Sequence, residues 1–174
     1  TPQAQPPAAT PLTPGTPASA PAAIPGAQVA PPEPRPSNAA LTFAASPVTL
    51  PAGGPTPVNI VVAGNDIFGA DLILSYDPMS FTIREVREGG FLSRDGQLVA
   101  TVQRLETESG TVRISLERPP GAAPVSGTGN LVTLILEPGT RRGESVLRVT
   151  DFRVHDALQA VQVGRAAEVR VTVP

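Results

Sequence analysis

The sequence contains no cysteine, no lysine and no tryptophan among its 174 residues. Without cysteine, the chain forms no disulfide, binds no zinc through thiolates and has no thiol nucleophile. All thirteen cationic residues are arginine, which we interpret as the base-composition bias of a GC-rich genome. The net charge is −2, and acidic and basic residues are interspersed. This pattern lacks the basic footprint of a nucleic-acid-binding protein, so we expect no nucleic-acid partner.

Long apolar runs and helical periodicity are also missing. No apolar run approaches the roughly 20 residues that a transmembrane helix needs. No window longer than about ten residues has the helical spacing of apolar side chains. Because the sequence starts at Thr1 rather than at methionine, we expect a processed piece of a longer chain, in which a targeting segment is no longer visible.

The first forty residues differ in composition from the rest. They contain twelve of the 22 prolines and eleven alanines, and their only charged residues are Glu33 and Arg35. Such a segment cannot bury enough apolar area to offset the entropy lost on ordering. We therefore predict a disordered or polyproline-II arm over residues 1–40, with a reach of about 120 Å if fully extended. It would act as a linker, or as an arm that docks on neighbouring subunits.

Residues 41–174 form the predicted folded domain, and their clearest strand signal runs from Ile67 to Tyr76. One parity of this segment is apolar and is expected to face a core: Phe68, Ala70, Leu72, Leu74 and Tyr76. The other parity faces outward: Gly69, Asp71, Ile73 and Ser75. The dipeptide Asp77-Pro78 ends the strand, because proline cannot donate a ladder hydrogen bond.

Similar alternation recurs along the domain. In 111–117 the inward residues are Val112, Ile114 and Leu116, and the outward residues are Thr111, Arg113, Ser115 and Glu117. In the preceding segment Leu98, Ala100 and Val102 are predicted inward, and Gln97, Val99, Thr101 and Gln103 outward. Turns are predicted at 64–66, a loop at 119–129 and another around His155. Eight or nine short strands with Gly/Pro turns predict an all-β sandwich or barrel.

The order of several motifs resembles that of cohesin modules. The segment from Gly69 to Pro78, which ends in Tyr-Asp-Pro, is similar to their third strand. Gly127-Thr128-Gly129-Asn130-Leu131 and the later step from Gly143 to Leu147 resemble further cohesin motifs. The resemblance covers about residues 40–174 and implies a nine-stranded jelly-roll sandwich. It also implies an extracytoplasmic setting, because cohesin-like domains occur in bacterial envelope and secretin-type proteins, often after a Pro-rich linker.

The resemblance also implies an interface. Cohesins that bind dockerins use the outward face of their third, fifth, sixth and eighth strands, with an Asn-x-Asp pair in the third. Here Asp71 matches the aspartate, and Gly69 stands at the asparagine position. Ile73 lies on the same face, and an outward apolar residue beside an acid suits an interface. We predict a partner-binding surface formed by Asp71, Ile73, Gly69, Arg113 and Ser115, which the outward residues of 97–103 extend.

Other chemistries are weakly represented. His155 is the only histidine, and a single histidine beside Asp156 favours a solvated loop over a metal site or a proton relay. Glu106 and Glu108 fit a charged hairpin better than a glycosidase pair. The Asp-x-Asp-x-Asp-Gly pattern of a calcium loop is absent, and no glycine-rich turn precedes a helix. We expect no catalysis, no cofactor and no metal.

We therefore predict a non-catalytic protein–protein interaction module of a bacterial extracytoplasmic assembly, located in the periplasm, at the outer membrane or cell surface, or outside the cell. Its partner would be a dockerin-like protein or a subunit of an envelope complex. The alternative is a structural subunit that self-assembles through residues 1–40. A weaker alternative is a polysaccharide-binding module. It is weaker because sugar rings stack on aromatic side chains, and the sequence has only one tyrosine, five phenylalanines and no tryptophan.

Overall fold

A computed structural model describes residues 35–158 and 160–174. Most of the predicted arm over residues 1–40 therefore lies outside the described residues. The described residues form eleven strands and no helix, so none of their segments is a helix able to cross a membrane. The strands are β1 (Arg35–Phe43), β2 (Val48–Thr49), β3 (Thr56–Ile67), β4 (Gly69–Ser75), β5 (Phe81–Glu88), β6 (Ala100–Glu106), β7 (Thr111–Glu117), β8 (Val125–Pro138), β9 (Gly143–His155), β10 (Val161–Arg165) and β11 (Glu168–Val173).

Hydrogen bonding runs through nine strands in the order β5-β8-β3-β1-β10-β9-β4-β7-β6. The first layer contains β5, β8 and β3, and the second contains β10, β9, β4, β7 and β6. The strand β1 joins these two layers, because Ala40–Phe43 pair with β3 and the first residues of β1 pair in parallel with β10. The strand β11 pairs with β9 and with β2. The predicted all-β sandwich is confirmed, with eleven strands where eight or nine were expected; β2 contributes only two residues.

The core lies between the layers and is built from one parity of each long strand. The predicted inward residues of β4 and β7 are confirmed, since Leu72, Leu74, Val112, Ile114 and Leu116 are all buried. Burying an aliphatic side chain of this size stabilises the fold by about 1.5–3 kcal/mol relative to leaving it in water. Tyr76 stacks on buried Phe81 with ring centroids 5.4 Å apart. This packing leaves the other parity of β4 and β7 directed outward.

Three strands are longer than their sequence patterns predict. The turn expected at 64–66 lies inside β3, where the register with β8 shifts between Gly64 and Ile67. Asp66 adopts a left-handed conformation with φ 54°, so these residues form a bulge rather than end the strand. Likewise, β8 begins at Val125 within the predicted loop, and β1 begins at Arg35 rather than at Leu41.

A buried cation anchors the connection between β5 and β6. The guanidinium of Arg118, which follows β7, is fully buried and donates to the Leu92 carbonyl oxygen and to the Asp95 carboxylate. Arg94 lies over the Phe91 ring, 4.7 Å from its centroid, and donates to the Ser126 carbonyl oxygen. These contacts fix the segment that leads into β6, the outermost strand of the second layer.

Candidate interaction face on β6, β7, β4 and β9

The four strands β6, β7, β4 and β9 lie side by side, and their register defines one outer face. Its three central rows, read from β6 to β9, are Ala100–Glu117–Gly69–His155, Val102–Ser115–Asp71–Arg153 and Arg104–Arg113–Ile73–Asp151. All five residues of the predicted partner-binding surface are in these rows. Arg113 and Ser115 are the direct cross-strand neighbours of Ile73 and Asp71.

The predicted orientation of the segment before β7 is wrong. Thr101 pairs with inward Leu116, whereas Val102 pairs with outward Ser115. The outer face therefore carries Ala100, Val102 and Arg104 instead of Thr101 and Gln103, while Gln97 and Val99 precede β6. The alternation of apolar residues in this segment did not indicate which side is buried, because β6 is an edge strand and its first five residues are exposed on both faces. Val102 is 67% exposed.

Asp71 is held by two side chains from the neighbouring strands. Its Oδ1 accepts the Ser115 hydroxyl, and its Oδ2 lies 2.6 Å from His155 Nε2. His155 is the last residue of β9, and its side chain is 22% exposed. The expectation of a solvated loop histidine is therefore wrong. Pairing of His155 with Gly69 and with Val161 extends β9 past the point where the sequence suggests a turn.

The contact between Asp71 and His155 shifts both ionisation equilibria. The hydrogen bond from His155 lowers the pKa of Asp71, helped by Ser115 and opposed by partial burial. The hydrogen bond to Asp71 raises the pKa of His155, again against burial, with Glu117 and Asp156 acting in the same direction. The pair therefore favours a carboxylate beside an imidazolium.

The order of these three groups does not match nucleophilic catalysis. A serine nucleophile needs a histidine in contact with its hydroxyl, and the carboxylate lies behind that histidine. Here the carboxylate of Asp71 lies between Ser115 and His155, so the serine proton has no histidine base. In the described part of the chain, no group of three or more His, Asp or Glu side chains could hold a metal ion. The arrangement instead presents a fixed hydrogen-bond acceptor.

Gly69 occupies a position where a side chain does not fit. A Cβ atom there would lie 2.8 Å from the Leu116 carbonyl oxygen, which belongs to the paired strand. A niche of about 50 Å³ lies beside Gly69 and Asp71, between Glu117 and His155. Because β7 approaches so closely, an asparagine at this position, which the cohesin resemblance implies, would require the two strands to shift.

A broader depression of about 470 Å³ lies next to this niche. Its lining combines apolar, acidic and basic residues: Asp71, Leu72, Ile73, Val102, Arg104, Arg113, Ile114, Ser115, Asp151 and Arg153. Asp151, Arg153 and His155 were not predicted to lie on this face. Their alternation with the inward residues Phe152 and Val154 is a signal that would have placed them there.

No family model and no curated protein sequence matches the chain. Solved cohesins do match its structure. A cohesin module from a family 33 glycoside hydrolase of Clostridium perfringens superposes with TM-score 0.64 at 16% identity, covering 79% of this chain and 97% of that one. A cohesin from a type I cohesin–dockerin complex of Clostridium thermocellum gives TM-score 0.63 at 14% identity, covering 78% and 99%.

A non-cellulosomal cohesin from the hyperthermophilic archaeon Archaeoglobus fulgidus also matches, with TM-score 0.60 at 16% identity, covering 78% of this chain and 91% of that one. These matches span nearly the whole of each cohesin, so the domain has the cohesin fold. The fold is therefore cohesin-like, as the motif order predicted.

Proposed function

We propose that this cohesin-like domain is a non-catalytic protein–protein interaction module that binds its partner through the outer face of β6, β7, β4 and β9. The observation that carries the proposal is the contiguity of the five predicted residues. Asp71 and Ile73 lie directly beside Ser115 and Arg113, and Gly69 lies in the next row, opposite Glu117. The face joins exposed apolar groups to a carboxylate that is already oriented, which lowers the entropy lost on binding.

The proposed partner is a dockerin-like module or a subunit of an extracytoplasmic bacterial assembly. Cohesins with this fold have been solved in complex with dockerins, which supports a protein partner here. Polysaccharide binding is disfavoured, because five of the six aromatic rings are buried in the core and stack no sugar: Phe68, Tyr76, Phe81, Phe91 and Phe152. The sixth, Phe43, is partly buried against the core.

Site-specific photo-crosslinking tests the proposal with the full chain. A benzoylphenylalanine at position 73, introduced in the organism that produces the protein, should form an adduct with one defined protein. The matched control is position 135, because Ile135 is a partly buried isoleucine on the outer face of β8. Equal adducts at both positions, or none at position 73, would contradict the proposal.

Affinity for the captured protein then tests the residues. The double variant Asp71→Ala with Ile73→Ala should weaken binding. The control Glu85→Ala with Ile135→Ala removes a cross-strand acid–isoleucine pair from the opposite face and should leave binding unchanged. An unchanged affinity in the first variant would reject the predicted surface.

A deletion distinguishes binding through the outer face from the alternative role, assembly through the Pro-rich arm. Removal of residues 1–34 should leave affinity for the captured protein unchanged if the outer face makes the contact. If the arm mediates assembly, the same deletion should abolish concentration-dependent self-association in light scattering.

A further inference from the structure

We propose that the partner presents a carboxylate beside an apolar side chain, with the carboxylate on Arg113 and the apolar group between Ile73 and Val102. This inference rests on the proposed function and assigns the chemistry of the partner at that same face.

Arg113 occupies an unfavourable position in the unbound domain. Its direct neighbours are Ile73 on β4 and the like-charged Arg104 on β6. Like charges directly opposite each other on paired strands are destabilising. Among the described residues, Arg113 has no hydrogen-bond or ion-pair partner. A local conflict of this kind is expected where a residue serves binding rather than folding.

The other charges in the depression are already matched. Arg153 Nε lies 3.0 Å from Asp151 Oδ2, and Arg104 Nε lies 3.4 Å from Glu106 Oε1. Asp71 is engaged by Ser115 and His155. One positive charge, on Arg113, therefore remains uncompensated at the centre of the face.

A carboxylate fits this charge better than a phosphate does. A planar guanidinium binds a carboxylate through two parallel hydrogen bonds. A carboxylate carries one negative charge, which matches the single uncompensated charge of Arg113, whereas a dianionic phosphate would leave one negative charge unmatched in a depression that also contains Asp71 and Asp151. The observations therefore favour an aspartate or glutamate of a protein partner.

The apolar component follows from the positions of two side chains. Val102 on β6 and Ile73 on β4 lie diagonally on either side of β7, with Ser115 and Arg113 between them. Both line the 470 Å³ depression. An apolar side chain inserted there would remove both from water while its acidic neighbour reaches Arg113.

A phage-displayed library of random peptides, selected on the immobilised full chain, tests this chemistry. Enriched peptides are synthesised, and their affinities are measured by fluorescence anisotropy for the wild type and for Ile73→Asp, Arg113→Glu and Arg170→Glu. Arg170 is the matched control, because it is an exposed arginine on β11 with no hydrogen-bond or ion-pair partner among the described residues.

We expect enriched peptides to carry Asp or Glu next to an aliphatic or aromatic residue. Arg113→Glu should weaken their binding about tenfold or more, as expected for losing a charge-assisted hydrogen bond. Arg170→Glu should change it less than about twofold. Binding should also weaken as the salt concentration rises.

Three outcomes would overturn the inference, and they separate it from the proposed function. If the enriched peptides are basic or uncharged and bind Ile73→Asp less tightly than the wild type, the proposed face is supported and the proposed carboxylate is rejected. Peptides that bind Ile73→Asp and Arg113→Glu as well as the wild type would reject both proposals. A selection that enriches no binding peptide would reject the partner chemistry, while the photo-crosslinking result would still decide the face.

Discussion

Replacing His155 with glutamine and Asp71 with asparagine, singly and together, measures the coupling between these two side chains. Each substitution keeps the side-chain size and a hydrogen-bonding group but removes one charge. A hydrogen bond between charged groups contributes about 1.5–3 kcal/mol in a buried setting. The Asp71 side chain is 40% exposed and that of His155 is 22% exposed, so solvent screening reduces the expected coupling to about 1 kcal/mol.

The sign of the pH dependence follows from the two pKa shifts. The pKa of His155 is raised above its ordinary 6.5, so its contribution to stability is full below about pH 6.5 and is lost as pH rises through the folded-state value. The pKa of Asp71 is lowered from its ordinary 3.8, so its contribution is full above that pH and is lost as pH falls through the folded-state value. The coupling should therefore be greatest between these two ordinary values and should shrink in alkaline solution.

Urea unfolding followed by circular dichroism gives the free energy of unfolding for all four proteins, and the double-mutant cycle isolates the pairwise term. Measurements at about pH 5.5 and about pH 9 bracket the expected loss. A coupling that is independent of pH, or greater at the alkaline value, would refute the assignment of an ion pair.

Three further predictions concern the scaffold. Leu72→Ala removes a side chain that is fully buried and should lower the free energy of unfolding in urea by about 2–5 kcal/mol, whereas exposed Ser75→Ala should change it by less than about 0.5 kcal/mol. Gly69→Ala places a Cβ against the Leu116 carbonyl oxygen and should destabilise the domain by about 1–3 kcal/mol; a free energy of unfolding equal to the wild type would show that β7 yields. Asp95→Ala leaves the buried Arg118 guanidinium without its acidic partner and should lower the Tm more than Arg118→Met does. The reason is that Arg118→Met removes the buried charge itself. A lower Tm for Arg118→Met than for Asp95→Ala would contradict this account.

The layers of the sandwich were predictable where a strand is buried on one side and solvated on the other. The segments 69–75 and 111–117 satisfy this condition, and their two parities predicted the core residues and the common outward face of the five proposed contact residues. The condition fails for β6, whose first five residues are all exposed. Its apolar residues do not mark a buried face, and Val102 was therefore assigned to the wrong side.

Residues that favour turns misled the prediction elsewhere. Glycine, asparagine and aspartate usually end strands, yet Gly64 to Asp66 form a bulge within β3, where pairing with β8 resumes at Ile67. The contact between Asp71 and His155 joins residues 84 positions apart. Predicting this contact requires knowing that β4 and β9 are neighbours, and no local sequence pattern shows which strands pair.

The alternation of proposed contact residues and core residues along β4 and β7 separates the proposed interface from the side chains that hold the fold together. Exchanges at Ile73, Val102 or Arg113 change the surface offered to a partner and leave inward Leu72 and Ile114 in place. Under the proposed function, partner specificity can therefore change without loss of the core, and these positions can be randomised together in the laboratory. Gly69 is the exception, because β7 approaches it too closely for a side chain; evolutionary change there would require the two strands to move apart.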